Sequence, residues 1–467
     1  MTFDRRTFLL GTGSGLSLLV LSACTTPTPV PGPTTSAPTT PVAGVPEPSA
    51  FVRSNWSKDQ FARGAVSFQK VGSTPEHRSD LAEPIGNRVF FAGEATSVDN
   101  PGTVMGARQS GRDAAAALAA LALTGDKVAV IGAGAAGAEA AKLLAVYGYD
   151  VTVIEAREQV GGRISTIATD DWPVPVSLGA WLLRDSSDSE LASDLRSAGV
   201  ASSLLSSVEY RNDEGATDDT APVTGSDAVA KAVAWAASQL VDVPLDTSLE
   251  SSGANADAAG TTVNDLAGAE ILAQYLAGIA MGTGAASVDL SSWYGVDPTA
   301  AEDKRAVTGD YSALITDALG DIKPFLTTTV TGIAYDDDSV SLRFGTGESL
   351  TVDRVVVTVP LGVLQADAIE FTPLLPFAHR TAISALGMGT VDAVWLSFDE
   401  PFWSTDATVW NLIGTDDDIT TWFNLEPITG DAVLVGLVGG DAALRLAEYS
   451  DDEVRAAAMV ALAPFAG

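Results

Sequence analysis

Lys127-Val128-Ala129-Val130-Ile131-Gly132-Ala133-Gly134-Ala135-Ala136-Gly137 is the stretch on which the fold turns. Its first five residues are a short apolar run, which predicts a buried strand. The G-x-G-x-x-G turn follows at once, and an alanine-rich helix is expected to run to about Tyr147. A second strand, Asp150–Ile154, ends at Glu155. Each part has a physical reason. Gly132 permits the tight turn, Gly134 lets a pyrophosphate approach the backbone, and Gly137 lets helix and strand pack closely, with Ala136 beside them. The helix N-terminus offers free N–H groups and a positive dipole end to phosphates, and Glu155 can accept hydrogen bonds from a ribose. Strand, turn, helix, strand and acid together specify a Rossmann-type dinucleotide-binding unit.

That unit leaves NAD and FAD open, and the residues around it choose. Glu155-Ala156-Arg157 and Gly161-Gly162-Arg163 form an EAR…GGR pattern, in which arginines suit phosphate. Ser177-Leu178-Gly179-Ala180-Trp181 follows. Upstream lie Phe90-Phe91-Ala92-Gly93-Glu94-Ala95-Thr96-Ser97, then Gly102-Thr103-Val104-Met105-Gly106-Ala107 and Ser110-Gly111. Downstream, Val355–Val359 leads into Pro360-Leu361-Gly362-Val363-Leu364. These segments resemble the flavin-containing amine oxidases, a family that includes monoamine, polyamine and L-amino-acid oxidases and the flavin-dependent lysine demethylases. The resemblance covers nearly the whole body, from about residue 45 to 467.

Members of that family begin with the dinucleotide motif and end with the F-A-G-E strand and its helix. Here the ending comes first, so the chain reads as a circular permutant. Only Thr124-Gly125-Asp126 joins the helix expected from Val104 to about Leu123 to the first strand. The resemblance implies an α/β fold: a Rossmann-type FAD-binding domain with a central parallel sheet, interleaved with a mixed α+β substrate domain. The FAD domain is expected at 51–180 and 300–366, and the substrate domain at 181–299 and 367–467. A helix is expected over Ala269–Gly284. Asp336-Asp337-Asp338-Ser339 reads as a hairpin turn, before Val340, Leu342 and Phe344 alternate on one face.

What the resemblance implies is an FAD-dependent oxidoreductase. It would oxidise a C–N bond of an amine or amino acid by hydride transfer to flavin N5, with O2 as acceptor. The alternatives are an amine dehydrogenase with another acceptor, or a flavin-binding protein with little catalysis. The FAD would be held non-covalently by Gly132, Gly134, Ala136, Gly137, Glu155, Arg157, Gly162, Arg163, Gly179, Ala180, Trp181, Val330, Gly93, Glu94, Thr103 and Val104. Three positions depart from the family pattern. Ala393 stands where the catalytic lysine is usual, so no catalytic residue is assigned. Val66 replaces the tyrosine of a G-S-Y-S segment. Thr103 stands where monoamine oxidases carry an aromatic ring. Trp181, Trp395 and Trp422 are candidates for the pocket wall, although core packing accounts for each.

Further out, composition limits the reading. The 467 residues carry 26 Lys+Arg against 60 Asp+Glu, a formal charge of −34, which argues against nucleic-acid binding. One cysteine and two histidines leave no internal disulfide and no His/Cys metal cluster, so no metal site is assigned. Residues 1–24 read as an export signal: Arg5-Arg6 in a twin-arginine pattern, an apolar stretch Phe8–Leu21, and Leu21-Ser22-Ala23-Cys24 resembling a lipobox with Cys24 as the lipidated residue. Residues 25–50, rich in Pro and Thr, read as an extended linker. The protein is therefore expected outside the bacterial cell membrane, bound to it through the lipid anchor only. Its expected partners are a small amine or amino acid and an electron acceptor.

Overall fold

A computed structural model of the chain describes residues 44–183, 190–213, 215–217, 221–296 and 304–466. The signal, Cys24 and nearly all of the linker lie outside the described residues. The body opens with β1 (Ala50–Arg53), β2 (Val66–Phe68), α1 (Pro75–Ala82), β3 (Val89–Phe91) and α2 (Val104–Leu121). The Rossmann unit follows as β4 (Lys127–Ile131), α3 (Ala135–Val146) and β5 (Asp150–Ile154).

The central sheet is four parallel strands in the order β3, Arg354–Val357, β4, β5. Its strands are short and apolar because both faces are covered, and Val89, Val128, Ala129, Val130, Val355 and Val356 are fully buried. On one face α2 packs on α3 through small side chains, Ala114 and Ala115 against Ala136 and Ala140. Alanine favours the helix and lets the axes approach. After α3 the chain turns at Gly148, which sits at φ +87°. Arg108 ties the layer together: its buried guanidinium donates to Glu139 of α3, Nε to Oε1 at 2.8 Å, and to Asp194 of the Glu190–Ser197 helix at 2.6 Å. Removing one partner of such a buried pair typically costs ~3–5 kcal/mol.

A second, seven-stranded sheet carries the strands Val391–Ser397, Val433–Gly439, Thr421–Asn424 and Val409–Leu412. Its edge strand is β1, with Phe51 opposite Leu396. The Gly268–Thr283 helix lies across this sheet. Two segments therefore sit differently from the partition read in the sequence. β1, counted with the FAD domain, is hydrogen-bonded into the other sheet. The strand Glu370–Thr372, counted with the substrate domain, pairs in parallel with Val330–Tyr335. The cause is the same in both: pairing is decided by partners elsewhere along the chain, which local composition does not encode.

Candidate functional site

The turn after β4 is built as its glycines require. Gly132 sits at φ +105°, and a Cβ there would lie 2.6 Å from Thr358 Oγ1. Gly137 lies beneath the turn: a Cβ would stand 1.9 Å from Gly132 O, so helix and strand pack without a side chain between them. At Gly134, the residue before α3, a Cβ would find nothing nearer than Gly161 O at 3.6 Å. That face is open to a cavity of about 840 Å³. The first N–H groups of α3 have no partner within the helix, and Ala135 and Ala136 line the same cavity. Glu155 is buried. Its Oε2 accepts from Ala133 N at 2.8 Å and its Oε1 from Arg157 N at 2.9 Å. Each oxygen keeps a second lone pair, enough for a pair of ribose hydroxyls.

Of the sixteen residues expected around the cofactor, fifteen line this cavity; the exception is Gly137, under the turn. The arginines divide. Arg163 donates from Nη1 to Ala65 O at 2.9 Å and to Glu94 Oε1 at 2.8 Å. Arg157 presents its fork to Asp59, at 2.8 and 2.7 Å, and lies against the Trp56 and Phe61 rings. The two-pronged phosphate contact suggested for Arg157 is thus taken by a carboxylate that no motif announced.

Across the cavity α2 points its N-terminus inward. Thr103 caps it, accepting from Gly106 N at 2.9 Å and donating to Asn100 O at 2.8 Å. Glu94 holds the approach: its Oε2 accepts from Gly102 N at 3.0 Å and from Ser67 Oγ at 2.5 Å. Burial alone would drive the Glu94 carboxyl up. The Arg163 and Arg78 guanidiniums and the Ser67 hydroxyl more than reverse this, holding it below the usual carboxylate range.

The remaining wall is mostly apolar. It takes Leu182 and Leu183, Gly278 and Met281 from the Gly268–Thr283 helix, Val296, Val391 and Leu437. Trp181 backs it, buried and edge-on to Phe423 at 5.0 Å and Trp395 at 5.6 Å. Its Nε1 has no hydrogen-bond partner among the described residues. Trp395 and Trp422 are fully buried and donate to Ser177 O and Ile419 O, as core residues do. Ala393 is buried in the same cluster as Trp181, its backbone in register with Leu437. One lysine, Lys304, lines the cavity, and the motif reading missed it. It enters because Arg305 pairs with Leu183, a register that no local signal predicts.

The donor set fits FAD. An open backbone face at Gly134, two inward helix N-termini and the Arg163 guanidinium suit a diphosphate, and the apolar wall beyond suits a flat ring system.

A family profile described as flavin containing amine oxidoreductase matches residues 37–119 and 313–467. A second, an NAD(P)-binding Rossmann-like domain, matches 130–197. The chain is 28% identical over 358 residues to lysine-specific histone demethylase 2 of Homo sapiens, covering 72% of this chain and 43% of that protein. It is 28% identical over 344 residues to probable polyamine oxidase 4 of Arabidopsis thaliana, covering 70% and 68%. The chain thus spans less than half the length of the first of these relatives. Among solved structures, cyclohexylamine oxidase from Brevibacterium oxydans IH-35A superposes with a TM-score of 0.58 at 20% identity, over 74% of this chain and 82% of that one. Putrescine oxidase bound to putrescine gives 0.52 at 21%, over 73% and 82%. At these identities the likeness is one of fold.

Proposed function

The chain belongs to the flavin containing amine oxidoreductases, with FAD as its cofactor, and on that premise we propose that it oxidises a carbon–nitrogen bond of a small amine or amino acid, with O2 as acceptor. The observation that carries this reading is one cavity that runs from the Gly134 turn to the apolar wall under Trp181. When bound, FAD supplies hydride acceptance from the carbon next to nitrogen. The chain's residues supply position and field. The α3 N-terminus and Arg163 take the diphosphate, and Glu155 takes the ribose. The α2 N-terminus sets a positive dipole end where negative charge accumulates. The apolar wall excludes water from the reacting carbon. The chain's one cysteine, Cys24, is assigned to the lipid anchor and so leaves none for a covalent link; FAD is held non-covalently.

Ala393 favours a second reading. A methyl group offers no ammonium beside the reacting centre, and an ammonium assists O2 reduction. An amine dehydrogenase that passes electrons to another acceptor would tolerate the change. One experiment separates these readings. The purified protein is mixed anaerobically with a panel of amines and amino acids while its visible spectrum is followed, and air is then admitted. Bleaching of flavin bands followed by peroxide supports the oxidase. Bleaching that persists in air supports the dehydrogenase. Flavin bands that no amine bleaches would leave a binding protein.

Two wider proposals concern the chain's layout. The segment order is a circular permutation of the family's. In its support, the five residues Ala122–Asp126 suffice to carry α2 into β4, and a Cβ on Gly44 would lie 2.9 Å from Ala466 Cβ. The protein is exported and held at the outer face of the membrane by lipidated Cys24. The Arg5-Arg6 pair and the Leu21–Cys24 sequence support this, and Cys24→Ser is expected to release the protein into the medium.

A further inference from the structure

The cofactor wall described above ends at Glu94, but the contacts of Glu94 continue away from the cavity into a group that no motif contains. Ser67 of β2 gives its hydroxyl to Glu94 Oε2 at 2.5 Å. That same hydroxyl accepts from Arg78 Nη1 of α1 at 2.8 Å. Arg78 also donates to Ala95 O at 3.0 Å. Its side chain is 1% exposed, and no carboxylate among the described residues lies within ion-pair distance of it. A guanidinium buried this way is costly unless a negative charge is near. Glu94, one hydroxyl away, is that charge. On its other side Glu94 meets Arg163 and the Gly102 N–H, both at the cavity. Two guanidiniums therefore bracket one carboxylate, and the cluster keeps positive charge in excess beside the α2 N-terminus.

We propose that Arg78 is a positioning residue for the cofactor site. Through the Ser67 hydroxyl it supplies the second positive charge against which Glu94 is held, and Glu94 in turn fixes Gly102 and Arg163 toward the anionic part of the cofactor. This rests on the FAD reading of the cavity. Of the elements packed on the Glu94–Thr96 turn, α1 contributes Arg78 as the charged group facing Glu94; β2 and the approach to α2 contribute the neutral donors Ser67 and Gly102 N, and Arg163 faces it from the loop after β5. The excess positive charge is met when a phosphate-bearing ligand is bound, so a riboflavin that lacks the diphosphate gains less from the cluster.

The test is a titration of the apo-protein with FAD from about pH 3.5 to 8, so that the range below the ordinary glutamate value is covered, followed by flavin fluorescence. It compares the wild type with Arg78→Met, Arg78→Lys, Glu94→Gln and the Arg78→Met/Glu94→Gln double variant. Arg78→Met is expected to weaken FAD binding about tenfold at pH 7. It should also move the acid limb of binding to higher pH, because Glu94 then takes up a proton sooner as pH falls. Arg78→Lys should restore most of the loss. In the Glu94→Gln background the acid limb is absent and Arg78→Met moves nothing in pH. A uniform loss at every pH, with the acid limb unmoved, marks a merely structural role and overturns the proposal. A wild type that binds no FAD defeats the cofactor reading instead. The Arg78–Glu94 linkage is then read from the thermal midpoint of the apo-protein against pH, where an acid limb unmoved by Arg78→Met overturns it.

Discussion

The two sides of the cavity are made of different materials. The side carried by β4, α3 and β5 is backbone: glycines, helix ends and a carboxylate clamped by two amides. The side carried by Trp181, Val391, Leu437 and the Gly268–Thr283 helix is side chain, packed as a core. In the first, a position is fixed by whether any Cβ fits at all. In the second, volume is shared among neighbours that can repack. The family pattern read in the sequence rests on the glycines and Glu155 of the backbone side, while Ala393, read as a departure from it, packs in the core of the other.

The largest effect is expected on the side-chain wall. Trp181→Ala should cost about 3–5 kcal/mol of unfolding free energy by denaturant titration, since the indole fills the space between Trp395 and Phe423. FAD affinity should fall far less than stability; equal losses would erase the contrast between the sides. Gly137→Ala comes next, at about 3 kcal/mol, because its Cβ would overlap Gly132 O. FAD binding should vanish with it. Gly134→Ala sharpens the point: thermal stability should be nearly unchanged, while FAD titration weakens because the new methyl enters the cavity.

Ala393→Lys probes the core just behind that wall. Reoxidation by O2, measured by stopped flow, is expected to quicken about tenfold, with a lower thermal midpoint because the ammonium loses water. An unchanged rate would cut the link between this position and the acceptor. Thr103→Ala should cost about 1 kcal/mol by removing the α2 cap.

The smallest effect is a pH dependence behind Ala393. Burial pushes the Asp392 carboxyl up, against the Trp56 N–H, the Ser54 hydroxyl and Arg53. A carboxyl raised on folding contributes stability that is present below its unfolded value and lost as pH rises through its folded one. Asp392→Asn should therefore flatten the fall of the thermal midpoint above about pH 4. A steeper fall in the variant would show that the carboxylate is held charged.

The backbone side was legible because its constraints are local. β4 and β5 fall on the residues their apolar runs mark. Local pattern served elsewhere too: Asp336 closes the hairpin by accepting from Ser339 N at 2.8 Å, and the helix expected from Ala269 begins at Gly268. Arg78 was invisible because its own stretch carries no motif, and Asp59 and Lys304 because each acts through a partner far along the chain. Asp59 meets Arg157, and Lys304 follows a strand register. Only the folded sheet brings those numbers together.

The pairing of β3 sets a timetable for synthesis. Val89 sits opposite Val355, so β3 leaves the ribosome long before its only neighbour in the sheet exists. At usual elongation rates that wait is roughly ten seconds to a minute. Throughout it, Val89-Phe90-Phe91 stays an apolar strand with an open edge on the nascent chain. Covering that edge during synthesis, as a chaperone would, is accordingly expected to raise the yield of folded protein.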